Sequence, residues 1–582
     1  MSLLLAGSAC CLPFVLPYHQ LPVLTFHAEW LAAALGVSAA LAALAGRTAL
    51  VVPWPVPARW LAAFALFLAY QAAYGNPAYP QLPLLGALYV LYAVLMIWLG
   101  GQLSQTFGIE RVAAVLAAFL LAGAVLTALA GVLQFYGRPT LLEDLIAELY
   151  GSRAYGNVAQ ANLYANYLAL GEGALLLLWV RSRLPTAYAL PALLLLVVGS
   201  VLSGSRRTLL YVLWLAMFST LAGPNRTREG RRLKFAAWGV AAATLIAYAA
   251  VPWVNNVLRL GPPGTGALDR SLASAAGAAG PRPRAWLLAL RAFADAPIGG
   301  VGMGEFANAA FALGLDPSMV QSGEIWTSPH NLLLHLLAET GTLGAGLVLG
   351  GLCAWGWQVA RRYRSDGQVA LWWIITAVGV EMIHSTIEYP LWNAHFLGVT
   401  ALLMGAGAAS DSPSPAMSGR SRVATAAACG VVAIASVLLI RDYLRLDATR
   451  IAGTTVTLAP SADAQRDAET MRNLTHGPLA PLAEFWILMG VSLDRDDLAA
   501  KSAMSERVAR FWPSYAVLAR RAVFLALSGE TLKAQRLIAD VTRTFPFRRD
   551  LTLAILKQAL ASDPSAIEPL LRVAEDTPHG LR

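Results

Sequence analysis

The stretch Ser328-Pro329-His330-Asn331-Leu332-Leu333-Leu334-His335-Leu336-Leu337-Ala338-Glu339-Thr340-Gly341-Thr342-Leu343-Gly344 runs from a polar turn straight into an apolar run of membrane grade. Hydrocarbon makes an idle ionisable group expensive, so a His-Asn pair at such a boundary is a functional candidate by default. The plainer alternative is a helix start, with Ser328 as cap and Pro329 in the first turn. Capping explains neither His330 nor Glu339.

Working outward, similar apolar runs recur over roughly the first 440 residues, about thirteen of them long enough to be spans. They lie near 3–18, 28–46, 59–74, 82–100, 112–135, 161–180, 185–202, 207–222, 235–254, 333–359, 369–387, 391–409 and 423–440. The chain is 57% hydrophobic and only 13% charged, about half the charge of a soluble protein. The expected fold class is therefore all-α: a polytopic helical membrane protein. The four cysteines, Cys10, Cys11, Cys353 and Cys429, all sit in apolar runs, which excludes a disulfide framework or a cysteine-rich zinc site. The apolar N-terminus lacks a charged leader region and reads as a first span rather than a cleaved signal peptide.

The net charge of +9 does not point to nucleic acid, because its basic clusters fill short gaps between spans. Residues 226–234 and Arg361-Arg362-Tyr363-Arg364 are examples. With the N-terminus cytoplasmic, one orientation puts nearly every basic loop inside, as the positive-inside rule requires. Two exceptions fall outside: Ser203-Gly204-Ser205-Arg206-Arg207-Thr208, and the long segment 255–330 with Arg259, Arg270, Arg282, Arg284 and Arg291. An anionic ligand at the outer leaflet would offset them. After residue 440 the composition turns polar, giving a membrane domain over 1–440 and a periplasmic helical domain over 441–582. Within the latter, Arg510-Phe511-Trp512-Pro513 is echoed by Thr544-Phe545-Pro546, with Pro513 and Pro546 33 residues apart. That period suits a tetratricopeptide-like array of about 34 residues, a plain bundle of helical hairpins being the alternative.

Several polar groups punctuate the outer span ends. Arg206 and Arg207 stand where a helix re-enters the membrane; their planar forks and the helix N-terminus both suit a diphosphate, although arginines at span ends also snorkel to lipid phosphates. The segment from Arg282 to Gly304 reads as a helix stopped by Pro297 and followed by a glycine turn. Gly300-x-Gly302-x-Gly304 has the wrong spacing and setting for a dinucleotide fingerprint. His330 can take a proton from a hydroxyl, since a free imidazole titrates at about pH 6.5, and Asn331 could orient a sugar. Glu339 lies one helical turn after His335, but the two make too few ligands for a metal site. Glu388-Tyr389-Pro390-Leu391 and Gly156-Asn157-Val158-Ala159-Gln160-Ala161-Asn162 are two further polar entries, able to hold sugar hydroxyls or simply to cap helices.

Taken in order, these segments resemble the O-antigen ligase/polymerase (Wzy_C) superfamily, and within it the PglL-type protein O-oligosaccharyltransferases. The resemblance rests on Pro13…Pro17-x-His19-x-x-Pro22…Phe26-x-x-Glu29, Gly156-Asn157…Gln160-x-Asn162 and Ser205-Arg206. It continues through Arg284-x-Trp286…Pro297…Gly302 to Pro329-His330-Asn331…Glu339-x-Gly341 and Glu388-Tyr389-Pro390-Leu391. It implies a glycosyltransferase of the bacterial inner membrane, working at the periplasmic face without cofactor or metal. The implied reaction moves a glycan from a polyprenyl (undecaprenyl) diphosphate to a hydroxyl of pilin or another periplasmic protein. By resemblance His330 is the catalytic histidine. Arg206 and Arg284 hold the diphosphate, and Arg207 could share that duty. Gln160, Asn162, Asn331, Glu339, Glu388 and Tyr389 are the supporting residues. A ligase or polymerase with a sugar acceptor, and a lipid-linked glycan transporter, are the alternatives; a transporter should show internal repeats and polar groups near the midplane, and neither stands out in this sequence.

Overall fold

The computed structural model describes residues 1–46, 53–137, 143–222, 227–260, 282–315, 325–366, 368–409, 418–454 and 462–576. Arg47, Arg226 and Arg270, and the parts 261–281 and 316–324 of the expected outer loop, lie outside the described residues. Nearly every regular element among the described residues is an α-helix, the rest short 3-10 turns. Among the described residues, eight helices are long and apolar enough to cross a bilayer: Phe26–Ala45, Val56–Tyr74, Gln81–Phe107, Ile109–Tyr136, Ala161–Val180, Arg228–Leu258, Leu332–Arg364 and Gly419–Thr449. Thr186–Leu202, Arg207–Leu221, Val369–Ser385 and Ala394–Ala408 match expected spans but hold only 15 to 17 residues. At about 1.5 Å per residue they reach about 22–26 Å, so polar loops begin within the span ends. The protein is thus an all-helical, multi-pass membrane protein. The expected first span differs: it is divided into Ser2–Ala9 and Leu12–Val15, with Pro13 just inside the second piece, where its missing N–H costs nothing.

The chain forms two compact units that do not follow chain order. The first gathers Met1–Ala63, Leu88–Ala279 and Leu347–Ser436; the second gathers Phe64–Ala87, Gly280–Gly346 and Val437–Arg582. In the first, Ala161–Val180 is the central pillar, with 94% of its span window buried among other helices. Tyr164 and Tyr167 on this helix, Trp372 and Trp373 on Val369–Ser385, and Trp98 are fully enclosed. Lipid cannot drive such helices together hydrophobically, so close packing of large and small side chains does.

In the second unit, the C-terminal helices stack as hairpins. Tyr515–Leu527 and Thr531–Thr544 are followed by Arg549–Leu560 and Pro564–Asp576, around a core that includes Val523, Phe524, Ile538, Leu556 and Leu570. The echoed aromatics Phe511 and Phe545 each stand at a helix end, just before a proline-bearing turn. Phe311 and Ile325 pack against the same core, so part of the 280–346 segment is continuous with it.

The decisive local feature of this unit is a break in Leu332–Asp366. At Gly341 the backbone leaves helical geometry, with φ 60° and ψ −163°. A broken helix frees backbone groups that, where buried, must find partners inside the protein. Here the turn that follows Arg282–Asp295 supplies them. Val301 N donates to Ala338 O at 2.8 Å and Gly302 N to Glu339 O at 3.1 Å. In return Thr342 N and Leu343 N donate to Pro297 O and Ile298 O at 2.8 and 3.2 Å. Gln71 closes the knot, its Nε2 donating to Gly299 O and Glu339 O. Approach this close requires glycine: a Cβ at Gly300 would lie 2.2 Å from Glu339 C, and one at Gly341 would lie 2.3 Å from Ile298 O.

Gly341→Ala should therefore lose about 1–3 kcal/mol from the backbone conformation alone, plus the clash. The check is thermal unfolding in detergent against Gly346→Ala. Gly346 has open space around its Cβ direction, so alanine there should leave the transition unchanged or raise it.

Candidate functional site

In the second unit, the knot at Gly341 fixes the N-terminal half of its helix, and the turn Ser328–Asn331 heads it. Asn331 is the cap: its Oδ1 accepts from Leu334 N at 3.0 Å and its carbonyl from His335 N at 2.9 Å. His330 precedes it with φ 52°, a left-handed conformation that few non-glycine residues adopt and that clusters at functional sites. Its backbone N–H is held by Ser328 Oγ at 3.1 Å, and its half-buried ring meets Trp326 edge-on, centroids 6.2 Å apart. The imidazole is thus carried on a strained backbone but left partly open, as a group that must meet a substrate requires.

Beneath it sits a buried pair. His335 Nδ1 is 3.3 Å from Ser328 Oγ. His335 Nε2 lies 3.3 Å from Glu339 Oε2, within ion-pair range but without a hydrogen bond between them. The other oxygen of Glu339 accepts from Gly304 N at 3.0 Å and Phe306 N at 3.1 Å. That is the N-terminus of Phe306–Gly314, where a carboxylate is favoured by free N–H groups and the helix dipole. Glu339 is therefore a buried tie and not an open substrate ligand.

Arg284, on the amphipathic helix Arg282–Asp295, is half-buried. Its Nε is enclosed and lacks a hydrogen-bond partner, and burial lowers its guanidinium below the ordinary arginine value. A partly desolvated, under-satisfied guanidinium is primed for an anion.

In the first unit, the two neighbouring arginines diverge. Arg207 is buried and pairs with Glu388, Nη2 to Oε1 at 2.8 Å, with both side chains under 10% exposed. Its Nη1 is buried without a hydrogen-bond partner. Arg206 sits at the N-cap of Arg207–Leu221 and is exposed. Asn162 lies beside the pair, its Nδ2 3.5 Å from Glu388 Oε1, and its Oδ1 accepts from Arg153 Nη2 at 2.9 Å. Gln160 caps Ala161–Val180 through Leu163 N at 2.6 Å. Tyr389, next to Glu388, is exposed. Thus Arg207, Asn162 and Glu388 come together, whereas Gln160 has a local capping contact.

The remaining motifs of this unit serve as scaffold. His19 bridges Leu24 O and Asn157 O, and Asn157 Nδ2 donates to both Val15 O and Leu145 O at 2.8 Å. Glu29 receives Thr25 Oγ1, Ala394 N and a short bond from Tyr89. Sequence reasoning did not single out Gln71, Arg153 or Glu305. Gln71 and Arg153 carried a signal: one is an amide in an apolar run, the other a cation in an outer entry.

Two family models match the chain. "O-Antigen ligase" covers residues 191–349, which include Arg206, Arg207, Arg284 and the whole His330 turn. "Virulence factor membrane-bound polymerase, C-terminal" covers 372–558, from the Glu388 segment into the C-terminal hairpins. The chain thus carries an O-antigen ligase domain match over the segment that holds the His330 turn. It is accordingly a membrane glycosyltransferase. It is also similar to the general O-oligosaccharyltransferase of Acinetobacter baylyi, 27% identical over 408 residues, which are 69% of each chain. Gln160 and Asn162 lie outside both family matches.

The divergence of the two arginines is testable. Arg207→Ala strands the buried Glu388 carboxylate, which typically costs about 3–5 kcal/mol, so the variant should unfold at lower temperature in detergent and accumulate poorly. Arg206→Ala should leave the unfolding transition where it is.

Proposed function

We propose that this glycosyltransferase moves an oligosaccharide from a polyprenyl (undecaprenyl) diphosphate to serine or threonine hydroxyls of pilin or other periplasmic proteins. The site is taken to face the periplasm from the bacterial inner membrane. The observation that carries this reading is the His330 turn: a half-buried imidazole on a left-handed backbone, at the head of a broken span, inside the segment that matches the ligase family. The likeness to a general O-oligosaccharyltransferase supports a protein acceptor.

In this mechanism the acceptor oxygen attacks the anomeric carbon while the bond from that carbon to the diphosphate oxygen breaks. His330 takes the hydroxyl proton as general base. The departing lipid diphosphate gains charge, and the guanidiniums of Arg206, Arg207 and Arg284 are its assigned partners, through paired N–H donors. The donor is already activated, so no nucleotide is consumed. Asn331, Gln160, Asn162, Glu339, Glu388 and Tyr389 support this chemistry by capping, pairing or offering polar atoms. A sugar acceptor is the second reading, favoured by the ligase and polymerase descriptions of the matched families.

The test is expression in a glycosylation-deficient bacterium supplied with a lipid-linked glycan and a pilin. Glycan should appear on the pilin and be lost in His330→Ala at equal membrane abundance. Normal transfer by His330→Ala would remove the general base. Transfer to lipopolysaccharide core in place of protein would move the assignment to the sugar-acceptor branch.

A further inference from the structure

The second unit contains a polar path of which the mechanism above uses only Glu339 and His330. It starts in the last turn of Leu498–Phe511, where Arg510 holds Glu305 in a fork: Nη2 to Oε1 at 2.9 Å and Nε to Oε2 at 3.2 Å. Glu305 is buried and also accepts from Ala78 N at 2.8 Å. The residues on either side of it, Gly304 and Phe306, give their N–H groups to Glu339. Glu339 faces His335, His335 faces Ser328, and Ser328 accepts the backbone N–H of His330. A second tie runs alongside, with Arg507 and Tyr79 both bonded to Glu484.

Donor and acceptor bookkeeping gives this path a direction. Ser328 Oγ already accepts from His330 N, so its own proton is available for His335 Nδ1. On the other side of the ring, His335 Nε2 faces Glu339 Oε2 at 3.3 Å, within ion-pair range. That carboxylate is held in place by two backbone donors whose own position is set by Glu305 and Arg510. Each member fixes the orientation of the next, as outer partners orient ligating histidines in metal sites. The path ends at His330, whose backbone is left-handed, with φ 52°.

We infer that Arg510, Glu305, Glu339, His335 and Ser328 are positioning residues, forming a continuous polar chain by which the C-terminal helices hold His330 in its reactive geometry. The C-terminal hairpins are then part of the catalytic apparatus, and loosening them acts on the turnover step. This rests on the reading of His330 as the base.

The experiment is a double-mutant cycle on the full-length protein in detergent, with a lipid-linked oligosaccharide and a pilin, scoring kcat and KM separately. Arg510→Gln and Ser328→Ala should each lower kcat, on the order of ten- to a hundredfold for a misplaced catalytic group, with the donor KM unchanged. The double variant should lose little more than the worse single one, because both cut the same chain. Arg510→Lys, which keeps the charge but not the fork, should recover part of the loss. Thermal unfolding is followed in parallel. If Arg510→Gln proves unstable, Glu305→Gln replaces it, since its amide oxygen can still accept from Ala78 N. Fully additive losses, losses that track stability alone, or unchanged kcat in Arg510→Gln would overturn the chain while an inactive His330→Ala leaves the transferase reading standing. An active His330→Ala would take both down.

Discussion

A helix broken mid-course frees backbone N–H and C=O groups that, once buried, must be paired within the protein. At Gly341 that requirement is met by the turn 297–302, and most of the second unit's polar architecture follows from it. Bringing the turn against residues 338–343 places Gly304 and Phe306 N–H opposite the Glu339 carboxylate. Holding Glu339 there directs its second oxygen to His335, and His335 to Ser328. The His330 turn is therefore supported by a backbone interaction made ten residues away along the chain. Glycine at 300 and 341 is the covalent condition for this: any Cβ would stand where the opposing backbone already lies.

The arginines show how burial sorts one residue type into different tasks. Arg207 is enclosed and already neutralised by Glu388, which leaves a single unpartnered Nη1. Arg284 is half-enclosed with an unpartnered Nε, an arrangement that gains most from a phosphate oxygen. Arg206 is exposed at a helix N-cap, where its cost in stability is small. Buried pairs seldom stabilise a protein over an apolar equivalent.

The long spans were legible because apolar runs of some twenty residues have few fates. Short ones such as Arg207–Leu221 were legible in place but not in length, since hydropathy does not register where a polar loop dips into the span. The split between Ala9 and Leu12 was hidden for a similar reason: Pro13 sits in an unbroken apolar run and leaves hydropathy unchanged. His330, Asn331 and Glu339 were visible as polar residues at an apolar boundary. Glu305 was not: it follows a glycine turn in a polar loop, with nothing local to distinguish it from a solvated carboxylate. Its fork with Arg510 joins residues 205 positions apart, a pairing that no local pattern encodes.

By itself the sequence determined that the chain is helical and multi-pass, that its charges crowd the span ends, and that a histidine stands where a polar turn meets an apolar helix. These are properties of composition and short-range spacing, which burial in lipid reads directly. Tertiary structure alone decided that Glu339 caps a neighbouring helix, that Arg207 is buried against Glu388 while Arg206 is exposed, and that residues 64–87, 280–346 and 437–582 form one compact unit. Each of those outcomes depends on hydrogen bonds and buried contacts between segments remote in sequence. Their geometry exists only once the helices have packed.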